Sequence, residues 1–513
     1  MENKISDTFT NDLKSSLVVF LVALPLCLGI AVASGAPPMS GLIAGILGGI
    51  VVGGISKSSV AVSGPAAGLT VIVLDSITTL GSFPLLLGAL VAAGIIQFFL
   101  GIAKAGVIGY YFPNAVIKGM LTAIGLILIL KQIPHALGYD KDFLGDFAFN
   151  QPDAHNTFSE IYYAFLFFSP GAIPIVLVSL ALILFFERPA IKKNRFLGVV
   201  PGALWAVLAS IGINNLYKGI KPEWALDNEH LVILPRLSGW NELPSLLTFP
   251  EFDLIATSGF WVIAVTIAVI GSIETLLSIE AADKMDPLKR STPTNRELVA
   301  QGVGNTLSGL IGGLPVTAVI VRTSANIESG AKTKLSTILH GVLLLALVLS
   351  IPGLLNQIPL SGLAAVLLVV GYKLAKPSLF VKEYKKGWDQ FLPFLVTVVA
   401  ILLTDLLVGI GIGMVVGLFF VLKTNFNRSI LVTEHNGNYL IKLQKDVSFL
   451  NKALLIKGLS QVSDGSKVVL NASMARFIDH DIQDVLNDFI SSAPSKKITI
   501  LIEGYPFYVN EDL

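Results

Sequence analysis

The sequence predicts a helical membrane protein carrying a small α/β domain at its C-terminal end. Three observations predict it. Hydrophobic residues make up 53% of the 513 residues and charged residues only 14%, against roughly 25% charged in soluble domains. Apolar stretches recur from Leu17 to about Lys423. Beyond that point polar residues return, and the apolar runs shorten to strand and helix length. The same figures exclude a disordered chain, which needs low hydrophobicity and high net charge. A net charge of +1 gives no global basic surface for nucleic acid. Cys27 is the sole cysteine, so an internal disulfide is excluded, and no Cys/His cluster offers a zinc site.

Residues 1–16 are polar and of mixed charge, and are read as a cytoplasmic N-terminus. They lack the short apolar core and small-residue cleavage site of a signal peptide. The transmembrane domain is read over 17–424. Its apolar cores are 17–34, 41–55, 65–80, 84–103, 114–131, 171–187, 196–215, 260–282, 298–312, 316–329, 338–355, 359–374, 390–406 and 407–424. These are fourteen spans, several shorter than the roughly 20 residues a straight helix needs to cross a bilayer. Charge placement tests the count, because short cytoplasmic loops hold excess Lys and Arg. With an even count both termini are cytoplasmic. The inside loops then hold Arg188, Lys192, Lys193, Arg195, Lys284, Lys289, Arg290, Arg296 and the lysines from Lys373 to Lys386. The outside loops hold only Lys131, Lys141, Lys218, Lys221 and Arg236, beside acids such as Asp140. Adding or removing one span would scramble this asymmetry.

Two of the short spans, the third and the tenth, share a pattern. Ser58 to Ser63 is a β-prone, uncharged run, and Gly64-Pro65-Ala66-Ala67 is expected to open a helix after it. Gly312-Gly313-Leu314-Pro315 is expected to open another. Proline suits the first turn of a helix, where its missing N–H would be unpaired anyway. Each helix would then start partway across the bilayer, which is tolerated only inside protein or beside a water-filled cavity. The two spans hold the same rank in two seven-span halves, and an odd number of spans per half inverts the second half. Their N-termini would face each other near the midplane. A helix N-terminus carries free N–H groups and positive partial charge, so the pair reads as an anion site. Gly64, Pro65, Gly313 and Pro315 are taken as the half-helix starts.

Two of the charges inside spans carry the functional argument. Arg322 lies in the tenth, in Val319-Ile-Val-Arg322-Thr-Ser. An intramembrane Arg costs at least roughly 2.5–3.5 kcal/mol on insertion scales. It is therefore read as a fixed positive charge beside the helix N-termini, favouring an anionic substrate. Glu274 lies mid-span with Ser278 four residues on, on the same helix face. It is read as a proton carrier, a sodium ligand or a partner of Arg322, the last including a purely structural bridge. Glu280 and Asp283 read as interfacial, as does His340; Asp405 reads as solvated at the outer boundary of the last two spans.

In the tail, Ser429–Glu434 and Tyr439–Gln444 read as strands around the hairpin signal Asn436-Gly437. A helix, a strand at Lys467–Asn471, a second helix and a strand at Lys497–Ile502 follow. This ββαβαβ order, over 425–513, has no phosphate loop or nucleophile motif. It reads as a regulatory or assembly module, and nothing in the chain reads as an enzyme: no catalytic residue and no metal ligand is assigned.

Ordered motifs along nearly the whole chain carry a resemblance. They are Ala23-Leu-Pro-Leu-Cys-Leu-Gly-Ile-Ala-Val-Ala-Ser-Gly35 with Pro37-Pro38, Val62-Ser-Gly-Pro65-Ala-Ala, Glu274-Thr-Leu-Leu-Ser278, Gly302-Val-Gly-Asn305 and Gly312-Gly-Leu-Pro-Val-Thr317. The chain resembles the SulP family of inorganic anion transporters, which carry a cytoplasmic STAS domain. The resemblance implies two inverted seven-span repeats split into core and gate subdomains, a homodimer and an elevator-like motion. It implies a pocket between the third and tenth spans. Leu26, Ile30, Ala66 and Ala67 would line it, Ile320 and Val321 would offer backbone amides, and Arg322 would make it electropositive. Glu274 matches the acidic coupling position, with Ser278 beside it; no cofactor is implied beyond a bound Na+ or H+. Some bicarbonate-transporting members lack the arginine and use an aspartate at position 274 for sodium, so Glu274 with Arg322 leans toward proton coupling. Asp481 stands where anti-sigma-factor antagonists are phosphorylated, which argues against a phospho-switch, and the STAS-like domain is shortened at its end. The implied protein is a multi-pass, secondary active transporter of the inner (plasma) membrane of a bacterium, carrying sulfate or bicarbonate. The alternatives are a nucleobase or dicarboxylate permease on the same fold, and a non-transporting membrane sensor.

Overall fold

The computed structural model describes residues 2–141, 149, 156–192, 200–234, 246–427 and 429–504. Lys193, Arg195, the first residues of the seventh core and Arg236 lie outside the described residues, as does the end of the tail. The chain divides into two compact units, Met1–Met414 and Val415–Leu513.

Each of the fourteen apolar cores falls on a helix. These are α1 (Glu2–Ala33), α2 (Pro38–Leu47, continued by a π turn to Val52), α3 (Thr70–Leu80), α4 (Phe83–Ile102), α5 (Asn114–Leu137), α6 (Ala172–Glu187) and α7 (Gly202–Ile220). They continue with α8 (Ser258–Met285), α9 (Thr294–Ile311), α10 (Ile320–Glu328), α11 (Leu335–Ser350), α12 (Leu360–Leu374), α13 (Trp388–Leu403) and α14 (Leu406–Asn427). Short helices at Thr157–Leu166 and Pro377–Tyr384, which the apolar pattern does not reveal, lie in the connections. Among the described residues, seven helical segments are long and apolar enough to cross a membrane, and α3, α6, α11 and α13 are apolar but shorter. The helices α7, α9 and α10 fall in neither group. The helix α10 is only nine residues long, and both α9 and α10 carry buried polar side chains, among them Gln301, Asn305, Arg322, Thr323 and Asn326.

Small residues let these helices approach closely, as membrane helices require. Along α4 and α9, a Cβ on Gly94 would lie 2.4 Å from the Thr306 nitrogen, and one on Gly302 would lie 2.4 Å from the Phe98 nitrogen. Gly125 of α5 and Gly371 of α12 meet in the same way, each Cβ position within 2.8 Å of the other's carbonyl oxygen. Large apolar side chains such as Phe99, Leu177, Val262 and Leu345 are left exposed, a distribution that suits a lipid surround and not water.

Two three-residue strands lie buried among the helices. β1 (Ser63–Pro65) pairs antiparallel with β2 (Val316–Ala318), in the register Ser63↔Ala318, Gly64↔Thr317 and Pro65↔Val316. The predicted helix starts are corrected here. Gly64 and Pro65 sit in β1, Gly313 follows the left-handed C-cap Gly312 of α9, and Pro315 precedes β2. The helices begin later, at a 3-10 turn Ala67–Leu69 leading into α3, and at Ile320 for α10. The pairing explains the shift. Ala66 N–H donates to the Pro315 carbonyl at 3.0 Å and Val319 N–H to Val62 at 2.9 Å, so extended backbone finds a partner strand and has no need to coil.

The second unit contains β3 (Ile430–His435), β4 (Asn438–Leu443), α15 (Lys452–Leu459), β5 (Lys467–Asn471), α16 (His480–Ser492) and β6 (Thr499–Glu503). The sheet order is β3-β4-β5-β6, antiparallel in the hairpin and parallel beyond it. Asn436 and Gly437 turn the hairpin with positive φ, 50° and 75°, as the sequence signal requires. Its core is aliphatic, centred on Ile441, Leu455, Leu470, Ile482 and Leu486.

Candidate functional site

The two strands present backbone polar groups at a depth where water is excluded, so their unpaired edges need side-chain partners. The polar residues of otherwise apolar helices supply them. Asn305 accepts from Val316 N–H at 2.6 Å and donates to the Val316 carbonyl at 2.9 Å, while also reaching Gln97 at 2.6 Å. Ala318 N–H donates to the Thr275 hydroxyl at 3.3 Å, and Gln301 donates to the Ser63 hydroxyl at 2.8 Å. The extended run before β1 is held from α10 and α11. Thr323 accepts from Val62 N–H at 3.0 Å, Asn326 donates to Val60 at 2.8 Å and Thr337 donates to Ala61 at 3.0 Å. Among these side chains Asn305, Ser63 and Thr275 fall in the motifs read from sequence, and Thr323 in the run quoted around Arg322. The others were detectable as single polar residues in apolar helices.

Arg322 is the largest fully buried side chain, at 0% exposure, and none of its three guanidinium nitrogens has a hydrogen-bond partner among the described residues. It forms no bridge to Glu274, which removes that reading. Its Nη1 lies behind β1, so close to Gly64 that a Cβ there would be 1.9 Å away. Gly45 of α2 and the Cys27 thiol of α1 border the same space, and a Cβ on Gly45 would lie 2.6 Å from the sulfur and 3.7 Å from Nη1. His340, read as interfacial, is instead fully buried in α11 with both ring nitrogens unpartnered.

Residues of α3, α8 and α10 line a cavity of about 70 Å³, several times the room one water needs. Ala67, Ile320 and Val321 line it at the starts of the two broken helices, and Glu274 and Ser278 line it from α8. The first N–H groups of any helix have no acceptor within it, so Ile320 and Val321 are placed to offer amides. Glu274 is buried, its Oε1 accepts from Gly68 N–H at 3.4 Å, and its Oε2 has no hydrogen-bond partner. Leu26, Ile30, Ala66 and Arg322 are buried close by in sequence and packing but are not among the residues lining this cavity. Leu26 and Ile30 pack into the apolar interior from α1. Asp405, read as solvated at the outer boundary, is exposed, and it lines the cavity with Leu406 and Leu407.

The arrangement is therefore a small space walled by two helix starts and a buried carboxyl, with a guanidinium charge held behind the strand pair. Comparison with known proteins gives the family and the fold. Residues 9–400 match the sequence profile described as the Sulfate permease family. The Bacillus subtilis (strain 168) protein YvdB, provisionally named a sulfate transporter, is 29% identical over 416 residues, covering 81% of this chain and 74% of that one. The bicarbonate transporter BicA of Picosynechococcus sp. is 26% identical over 419 residues, covering 79% of this chain and 69% of that one. The solved transmembrane domain of a cyanobacterial BicA superimposes with a TM-score of 0.57 at 25% identity, over 79% of this chain and 98% of that domain. The structure of SLC26A9 matches in fold, with a TM-score of 0.69 at 15% identity over 97% of this chain and 84% of that chain.

Proposed function

The chain belongs to the sulfate permease family, and from that premise we propose that it is a secondary active transporter of sulfate or bicarbonate. As a member of a transporter family it is not an enzyme. The proposal places it in the plasma (inner) membrane with both termini cytoplasmic, as fourteen spans in two inverted halves. It further assigns core and gate subdomains, an elevator-like motion, a homodimer and a STAS identity for the C-terminal α/β unit. The domain limits proposed are 1–16, 17–424 and 425–513.

The observation that carries the reading is the unpartnered, fully buried guanidinium of Arg322 behind a buried strand pair that opens onto two helix starts. An uncompensated buried charge is costly, and an anion in the adjacent cavity would compensate it across the strand. Ala67, Ile320 and Val321 would orient the anion through backbone amides and helix dipoles. Leu26, Ile30 and Ala66 would shape the apolar wall behind them. Glu274 already holds the Gly68 amide at one helix start, so its carboxylate competes with the anion for the same positive ground. Protonation of Glu274, or a cation held there with Ser278, removes the competing charge and admits the anion. Coupling follows from that exchange. The lining side chains alone, which include no Lys, Arg or His, would also suit a neutral solute; the Arg322 charge decides for an anion.

The test is uptake of labelled sulfate and, separately, labelled bicarbonate into proteoliposomes under an imposed proton or sodium gradient, with Glu274→Gln alongside. Gradient-driven uptake that Glu274→Gln abolishes identifies the anion and the coupling ion together. Uptake of either anion that ignores both gradients and survives in Glu274→Gln makes the protein an exchanger or uniporter. Saturable uracil uptake indifferent to both anions would replace the proposal with a nucleobase permease.

A further inference from the structure

We propose that Glu297 is a positioning residue of the anion site, which holds β1 against the Arg322 guanidinium through Gln301 and Ser63. The inference rests on the anion-transport reading above and extends it to a residue outside the cavity lining. Glu297 lies in the first turn of α9 and is 1% exposed. Its two carboxylate oxygens reach in two directions. Oε1 accepts from Gln301 Nε2 at 3.0 Å, one turn further along α9. The same Nε2 donates to the Ser63 hydroxyl of β1 at 2.8 Å. Oε2 accepts from the Ser56 hydroxyl. Ser56 is where the chain leaves the helical turn Gly53–Ile55 that follows α2, and its hydroxyl also accepts from Ser58 N–H at 3.0 Å. One carboxylate thus fastens both ends of the run 56–63 to α9.

What it fastens decides where Arg322 can lie. Gly64 follows Ser63 directly, and a Cβ on Gly64 would be 1.9 Å from Arg322 Nη1. Backbone and guanidinium are therefore in contact, and a small shift of β1 displaces the charge or opens a gap beside it. The Ser63 carbonyl packs on Gly48 in the π turn after α2, where a Cβ would lie 2.4 Å from its oxygen. Thr323 and Asn326 of α10, the helix that carries Arg322, bond the same run at Val62 and Val60. The run thus connects α9 to the helix of the guanidinium, and slack at its α9 end is passed to Arg322. A carboxylate suits this task because, when ionised, it only accepts. It obliges the Gln301 amide to present its N–H groups, which makes the Ser63 hydroxyl the acceptor and sets the direction of the whole chain of bonds.

Wild type, Glu297→Ala, Glu297→Gln and Ser63→Ala, each checked for a single dispersed species by gel filtration, are reconstituted into proteoliposomes. Initial uptake of labelled sulfate and, separately, labelled bicarbonate is measured against anion concentration. Loss of folded protein alone lowers the maximal rate and leaves KM unchanged, so KM is the quantity that reads positioning. The expected result is that Glu297→Ala raises the anion KM at least about tenfold. Glu297→Gln keeps the length and can still accept from Gln301 N–H, so it is expected to restore KM to within about threefold of wild type. Ser63→Ala removes only the last hydroxyl; it should raise KM as Glu297→Ala does, and it carries the test should Glu297→Ala fail to fold. A wild-type KM in Glu297→Ala or Ser63→Ala, whatever the maximal rate, overturns the positioning role and leaves the anion reading standing. Glu297→Gln as impaired as Glu297→Ala also overturns it, because the effect would then lie in the charge. No uptake of either anion by wild type overturns the anion reading itself, and with it this one.

Discussion

At the scale of single residues, Arg322 and Gly64 act as a pair. The guanidinium has no hydrogen-bond partner, and its position depends on the absence of a side chain at residue 64. Arg322→Ala is therefore expected to abolish or strongly weaken anion uptake while the protein still purifies as a folded species. Preserved uptake would remove Arg322 from the site. Gly64→Ala is expected to lower uptake at least about tenfold, because a Cβ 1.9 Å from Nη1 must displace it. Overpacking of this kind also costs about 1–3 kcal/mol of stability, readable as a lowered melting temperature. A Gly64→Ala protein with wild-type uptake would show that the guanidinium has other positions to occupy.

At the scale of elements, the strand pair survives at depth because side chains complete its hydrogen bonding. Asn305 alone serves both the N–H and the carbonyl of Val316. Asn305→Ala should destabilise the protein by about 1–3 kcal/mol in detergent unfolding, and Asn305→Asp should lose at least as much, because it keeps the acceptor for Val316 N–H but sets its other oxygen against the Val316 carbonyl and Gln97 Oε1 in a buried site. A second element-scale device joins the loop after α5 to the loop after α7. Asp140, buried, is gripped by His135 Nδ1 at 2.5 Å and by His230 Nδ1 at 2.6 Å. Burial alone would push the Asp140 carboxyl up, but hydrogen bonds from His135 and His230 together hold it below its ordinary range. The hydrogen bond to Asp140 in turn raises His230. A raised histidine contributes stability that is complete below its ordinary value, about 6.5, and is lost as pH rises through the raised value. A depressed carboxyl contributes above its ordinary value, about 3.9, and loses that contribution as pH falls through the depressed value. The melting-temperature difference between wild type and Asp140→Asn should thus be largest between about pH 4 and 6.5 and shrink on either side. A difference that is flat with pH would mean the clamp is not ionic.

At the scale of the whole molecule, the proposed orientation makes a topological prediction. In a Cys27→Ala background, Lys141→Cys and Lys221→Cys should react with an impermeant maleimide added to intact cells. Lys289→Cys and Lys382→Cys should react only after permeabilisation. The reverse pattern would invert the molecule, and labelling of all four from outside would end the even-span topology. The same scale accounts for the polarity of α9 and α10, which by composition alone would be poor membrane helices. Apart from Arg322, polar side chains such as Asn305, Asn326 and Thr323 are used by the strand pair and the run before it.

By itself the sequence determined the helical class, the positions of the helices that carry the apolar cores, the ββαβαβ order of the tail and the two interrupted segments, because each is written in local composition, spacing or turn chemistry. Arg322 and Glu274 were legible for the same reason: a charge in an apolar run stands out without a partner being known. Partnership was not legible. Only the tertiary structure decided that β1 pairs with β2, that the helices start after the prolines and not at them, and that Asn305, Thr323 and Asn326 complete the strands. It also decided that Arg322 lies against Gly64 of β1, and that Asp405, exposed as expected, shares a cavity lining with Glu274. The physical reason is the length of the separations involved. A hydrogen bond between residues 62 and 323, or a cavity shared by residues 67, 274, 320 and 405, is set by how distant helices pack, and no local pattern in the chain encodes it.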